Sequence, residues 1–212
     1  MKRFALAGLG MVLLAGTVHA SIYDQTPTDD RTFDASQGYL QTGESLTVTA
    51  YITAQYALLK FDLASVPDDA VFQSAVFSLY QGTNTGSTLL QCDLYRATHD
   101  GWDEAEPVGT AYSLGDVSCL GSIINDPWGQ YHTWDINLAE WNYADDLADD
   151  EVTLYVRFYA EPDGFYRSTN FTAREDIVDK PAHLVINYVP EPATMSLLAL
   201  GGVAMLRRRR AA

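Results

Sequence analysis

Residues 21–188 predict an all-β domain, a jelly-roll-type antiparallel β-sandwich of about eight strands, with a closed barrel as the alternative. Three observations carry this. Apolar residues recur with period 2 in short segments, and turns rich in Gly, Pro, Asn and Asp separate those segments. One stretch alone, 138–147, admits a helical turn or two. The two ends have the composition of delivery segments, which leaves about 169 residues (21–189), enough for one core and too few for two domains. A signal helix at the N-terminus and a short apolar helix at the C-terminus are expected to flank the sandwich.

The first clear strand covers 46–52, where Leu46, Val48, Ala50 and Ile52 alternate with Thr47, Thr49 and Tyr51. In 57–63, Leu59, Phe61 and Leu63 lie on one side and Lys60 and Asp62 on the other. The turn 65–69 leads into 71–80, whose Ala75, Phe77 and Leu79 share a face, so these two strands are expected to form the core. A polar loop is expected at 81–88, then a strand at 89–98 carrying Cys92, Leu94 and Tyr95. Residues 99–130 contain too many breakers for a helix or a long strand, and a loop of that length is more often functional than connecting. Strands at 131–138, 151–160, 165–173 and 183–188 complete the set; in 151–160, Val152, Leu154, Val156 and Phe158 share one face.

Seven cations stand against 27 acids between the delivery segments, a net of −20, because six of the 13 basic residues and one of the 28 acids lie in the ends. Such a field excludes nucleic acid as a partner and repels polyanionic glycans, while favouring cations and neutral or basic partners. Two cysteines, Cys92 and Cys119, in an exported domain make a disulfide the expectation, with two buried free thiols as the alternative.

No Gly-x-Ser-x-Gly, His-Glu-x-x-His, phosphate-binding glycine loop or Cys-x-x-Cys occurs, so no enzyme and no catalytic residue is expected. His99, His132 and His183 are scattered one to a segment. A polysaccharide hydrolase or lyase would draw first on Asp103 and Glu104 beside Trp102; the plainer expectation is a packed Trp102 with solvated neighbours. The acidic run 145–151 lacks the Asp-x-Asp-x-Asp-Gly spacing of a calcium loop and reads as a solvated turn. No cofactor or metal residue is assigned, although structural calcium elsewhere in the sandwich stays open. Sugar-binding sandwiches present exposed aromatic faces. Trp134 and Trp141 have core contexts, whereas Trp128, in the turn Asp126-Pro127-Trp128-Gly129, is the leading glycan contact, with Tyr143 and Tyr166 behind it.

At the N-terminus Lys2 and Arg3 precede an apolar run, and Ala20 offers a signal peptidase its small residue, so residues 1–20 read as a signal peptide with cleavage before Ser21. At the C-terminus Val189, Pro190, Glu191 and Pro192 lead into 14 uncharged residues and then Arg207, Arg208, Arg209 and Arg210. As a helix those 14 residues span about 21 Å, short of the roughly 30 Å hydrocarbon core, so the segment is expected to hold the membrane only transiently. Four adjacent arginines stay cytoplasmic, which places everything before Pro190 on the far side. Residues 189–212 resemble the PEP-CTERM sorting signal, with all three parts present. That resemblance implies cutting near Pro-Glu-Pro by a membrane exosortase and delivery to the cell surface or extracellular matrix of bacteria that make extracellular polysaccharide.

The order of Ala57-Leu58-Leu59-Lys60-Phe61-Asp62-Leu63, residues 75–80, Trp102-Asp103-Glu104, Trp134-Asp135-Ile136, Ala173-Arg174-Glu175 and Pro181-Ala182-His183-Leu184-Val185-Ile186 resembles a DNRLRE-type domain over residues 21–188. The eponymous motif is absent, with Asp29-Asp30-Arg31 at best a remnant. The resemblance implies a jelly-roll sandwich, and in some relatives a carbohydrate-binding module that holds alginate. The expected function is therefore an exported, non-enzymatic protein that binds glycan or other matrix components. A self-assembling adhesive or coat protein is the alternative.

Overall fold

The computed structural model describes residues 20–190 apart from 42–44, 51–53, 86–89, 116, 126–127, 160–166 and 173–179. The expected signal helix, the C-terminal apolar helix and Tyr166 lie outside the described residues. Among the described residues no helix is long and apolar enough to cross a membrane.

The domain is all-β, a curled antiparallel sheet with one short helix. Its strands are β1 (Ser21–Gln25), β2 (Asp29–Asp34), β3 (Tyr39–Gln41), β4 (Ser45–Ala50), β5 (Gln55–Asp62), β6 (Val71–Thr85), β7 (Leu90–Ala97), β8 (Val117–Asn125), β9 (Tyr131–Asp135), β10 (Glu151–Phe158), β11 (Arg167–Thr172) and β12 (His183–Val189); α1 is Tyr143–Asp149. The order β1-β12-β6-β11-β4-β5-β10-β7-β8 runs without a break, β9 pairs with β6, and β2 pairs with both β3 and β5.

Continuity comes from β6. Its first part pairs with β12 and β9, and from Gln81 onward it pairs with β11. Residues 81–85 were expected in a loop; Gly and Asn are poor strand formers, but here β11 supplies the ladder partners. Gln81 sits fully buried at the change of partner and donates from Nε2 to Thr169 Oγ1 at 2.6 Å.

The main core lies inside the curl. It takes Leu59, Phe61 and Leu63 from β5 and the turn after it, Ala75, Phe77 and Leu79 from β6, and Val152, Leu154, Val156 and Phe158 from β10, the faces that alternation predicted. Trp134 and Trp141 are in it as expected, and the Trp134 indole N–H donates to Cys92 O at 3.1 Å. Tyr23 of β1 ties to β5 by donating to Asp62 O at 2.7 Å.

The other face of β5, β10 and β7 is covered rather than wet. Tyr56, Tyr155 and Tyr95 stack across these strands at centroid spacings of 5.5 and 5.2 Å, with the Arg157 guanidinium 4.0 Å over Tyr95. The segment 98–115 and the β2–β3 hairpin close over the row, and Phe33, Leu40 and Trp102 pack there as a second cluster. Lys60, on the side of β5 opposite Leu59 and Phe61, is consequently buried as well. Its ammonium donates to Trp102 O and lies 3.6 Å from Glu151 Oε2.

The anticipated disulfide is not formed, and both thiols are free. Cys92 points into the main core while Cys119, paired in register with Tyr95 on β7, points outward. Cysteines on opposite faces of one sheet cannot bring their Cβ atoms to bridging distance.

Candidate functional site

The exposed face of β6 and β9 builds an aromatic patch at one end. Since Ala75, Phe77 and Leu79 point inward, period 2 sends Ser74, Ser78 and Tyr80 out. Tyr80 pairs with Tyr131, the first residue of β9, and their rings meet edge to face at 5.4 Å. The turn before β9 is locked to β6: Gly129 N–H donates to Gln81 O at 3.0 Å, and Gln81 N–H donates to Gln130 O at 2.9 Å. Gly129 holds φ at +79°, a conformation that favours glycine. Trp128, immediately before it, is 65% exposed.

Side-chain bonds fix the rest of the patch. Tyr80 donates its hydroxyl to Gly129 O at 3.0 Å, and Tyr131 donates to Pro181 O at 3.1 Å. Lys180 donates to the Tyr80 hydroxyl oxygen at 2.8 Å and stands 4.0 Å from the Tyr80 ring centroid. Partial burial raises the Tyr131 hydroxyl above its usual range, opposed by Lys180, so it remains a neutral donor. The arrangement offers an exposed tryptophan, a second aromatic edge, a cation and the hydroxyls of Ser78 and Thr133, 3.4 Å apart. Apolar faces stack on sugar C–H groups, and the polar groups meet sugar hydroxyls.

The remaining expected residues fall elsewhere. Tyr143 is half-buried, its ring stacked on Phe72 at 4.2 Å, so its face is already covered. Trp102 is buried and donates to Thr153 Oγ1 at 3.0 Å. Asp103 is exposed beside it, and the Glu104 backbone is held at both ends: its N–H donates to Asp29 Oδ1 at 3.1 Å, and its carbonyl accepts from Arg31. Arg31 therefore pins the long loop. The acidic run is the end of α1 rather than a solvated turn, and Asp146 within it is 1% exposed against Arg96. Among the described residues no group of three His, Cys, Asp or Glu side chains could hold a metal ion. Of the three histidines between residues 21 and 188, His132 is buried and His183 lies 3.1 Å from Asp24. His99 is exposed, with its Nδ1 3.0 Å from Ser113 O.

Alternation could have assigned Tyr80 and Tyr131 to the outer face. Lys180 carried no signal, since it stands 100 residues from Tyr80 and between no periodic positions.

A curled antiparallel β domain that presents a rigid aromatic patch with hydroxyls around it has the construction of a carbohydrate-binding module. Residues 24–188 match carbohydrate-binding module family 96, and over that span the chain belongs to this family. Residues 189–210 match the PEP-CTERM protein-sorting motif. No curated protein matches the chain. Among solved structures, the K1 cleaved adhesin domain of Lys-gingipain from Porphyromonas gingivalis W83 aligns at 8% identity over 80% of this chain and 96% of that one, with a TM-score of 0.31.

Proposed function

We propose that this chain is an exported, non-enzymatic glycan-binding protein of the cell surface or extracellular matrix. The observation that carries the reading is Trp128, an indole 65% exposed on a locked turn beside Tyr131 and the Tyr80–Lys180 pair, in a domain of carbohydrate-binding module family 96. On this reading signal peptidase cuts after Ala20, and an exosortase-type enzyme removes the tail near Pro190-Glu191-Pro192, with the membrane held only in between. Ser21 and Tyr188 are paired neighbours on β1 and β12, so both cuts fall just outside one strand pair and leave the core whole. The two-sheet jelly-roll arrangement and the DNRLRE-type likeness belong to the same proposal, with Asp29 and Arg31 serving to hold the loop after β7.

The test is binding of the domain to a panel of neutral and acidic glycans, with and without calcium, comparing the natural chain with Trp128→Ala. Saturable binding lost in the variant supports the patch. Release of new reducing ends from any glycan in the panel would reassign the protein as a hydrolase or lyase.

A self-assembling matrix protein is the second reading, favoured by the sheet's two ends. β1 and β8 terminate the strand order, and they leave Ile22 69% and Ile124 57% exposed. Light scattering of the domain on calcium addition tests this reading.

A further inference from the structure

The loop after β7, the end of α1 and the start of β10 surround an open cavity of about 450 Å³, away from the aromatic patch. Three carboxylates line it: Asp100 from the loop, Asp149 from α1 and Glu151 from β10. Tyr112, Ser113 and His99 form part of the same wall. The wall is held in place, because the Tyr112 hydroxyl donates to His99 O and the His99 ring sits against Ser113 O.

Asp100 is the informative residue. It is 9% exposed, it is bonded to Thr153, and its Oδ1 is buried with no hydrogen-bond partner. Burial, and then the charge of Asp149, push its carboxyl above the ordinary carboxylate range. The neighbouring cations are committed elsewhere, Arg96 to Asp146 and Lys60 to Trp102 O and Glu151. A buried carboxylate oxygen without a donor is costly, and the group that satisfies it best is a donor with positive charge.

A metal ion does not suit the place. Calcium needs six to eight oxygens at about 2.3–2.6 Å, and no cluster of that kind occurs among the described residues. The volume is instead that of a small-molecule site. An ammonium has three donors, enough to serve Asp100 and a second carboxylate on the wall together. A net of −20 on the domain concentrates cations around it.

We propose that this cavity binds the protonated free amine of an amino sugar, so that the glycan this domain favours carries unacetylated amino groups. The sugar part rests on the carbohydrate-binding reading above; the amine part rests on the cavity alone. Tyr112 supplies an apolar wall for the ring, and the Ser113 hydroxyl supplies polar contact.

The experiment measures binding of glucosamine, N-acetylglucosamine and methylammonium to the full chain by titration calorimetry. Three variants accompany it: Asp100→Asn, Asp149→Asn and Trp128→Ala. The expected result is glucosamine bound at least about tenfold more tightly than either N-acetylglucosamine or methylammonium, and weakened about tenfold or more by Asp100→Asn. Asp149→Asn, at an exposed site, should weaken it with no change in melting temperature, which separates loss of binding from loss of fold. Equal binding of N-acetylglucosamine overturns the amine, equal binding of methylammonium overturns the sugar, and glucosamine binding indifferent to both carboxylate variants overturns the cavity. Loss of panel binding in Trp128→Ala reports on the aromatic patch independently.

Discussion

Arg96 on β7 and Asp146 on α1 form a buried two-pronged ion pair, with Arg96 Nε 2.8 and 2.9 Å from the two carboxylate oxygens. The Trp141 indole N–H donates to the same carboxylate. The pair pins the helix onto the sheet, where Leu147 and Trp141 close one end of the core. Arg96→Met keeps the aliphatic bulk but leaves Asp146 uncompensated in a dry site. It should therefore cost about 3–5 kcal/mol in chemical denaturation. A loss below about 1 kcal/mol would mean that water already reaches the pair.

The same pair sets a pH dependence whose sign is definite. Burial is the largest influence on Asp146 and pushes its carboxyl from 3.8 up to about 6, against the hydrogen bonds from Arg96 and Trp141. Between those values the folded chain holds a proton that the unfolded chain has released. The contribution of this group to stability is therefore fully present below about pH 4 and declines as pH rises through 6. Denaturation midpoints of the natural chain and of Asp146→Asn, measured from pH 4 to 7, should differ in slope over that interval, with the variant flatter.

For the aromatic patch, exposure and bonding predict different outcomes at neighbouring residues. Trp128 is 65% exposed, so Trp128→Ala should leave stability within about 0.5 kcal/mol. It should weaken glycan binding about tenfold, the size of one lost stacking partner. Tyr80→Phe keeps the ring but removes the hydroxyl that accepts from Lys180 and donates to Gly129 O. Its effect should be smaller, and seen first as a looser turn in hydrogen exchange at Gly129.

The thiols allow a direct count. Native chain should react with one equivalent of a thiol reagent, at exposed Cys119. Denatured chain without reductant should react with two. Burial, and next the charge of Asp93, hold the Cys92 thiol far above its usual range, so it stays inert until the fold opens. No thiol in the denatured, unreduced chain would restore the disulfide.

What could be read from the residues follows from which faces are simple. β5 and β6 were legible because one face of each is uniformly apolar, and Trp128 because it sits among breakers that leave a tryptophan little to pack on. β2 was not. Its Asp-Asp-Arg-Thr-Phe-Asp has no apolar alternation and predicts no strand, yet Asp30, Arg31, Thr32 and Asp34 are all buried. They are held by bonds made only after folding, such as Arg31 Nη2 to Glu104 O and Glu106 O and Gln41 to Asp34 Oδ2. β8 was lost among glycines for a similar reason, since its strand character comes from pairing with β7 along nearly its whole length. The cavity at Asp100 was also unreadable, because it joins side chains about 50 residues apart.

Gly115 tests whether the wall of that cavity is built to a close tolerance. Its φ is +67°, and a Cβ there would press into Thr98 Oγ1 and stand 3.2 Å from the His99 ring. Two costs are therefore superposed in Gly115→Ala. The left-handed backbone contributes about 1–2 kcal/mol, and overpacking against Thr98 adds about 1–3 kcal/mol. Thr98→Ala removes the second without touching the first. The double variant should then be more stable than Gly115→Ala alone, yet remain below Thr98→Ala by the backbone cost. Urea midpoints of the four chains separate the two, and an additive double-mutant cycle would show that Thr98 does not define the position of this loop.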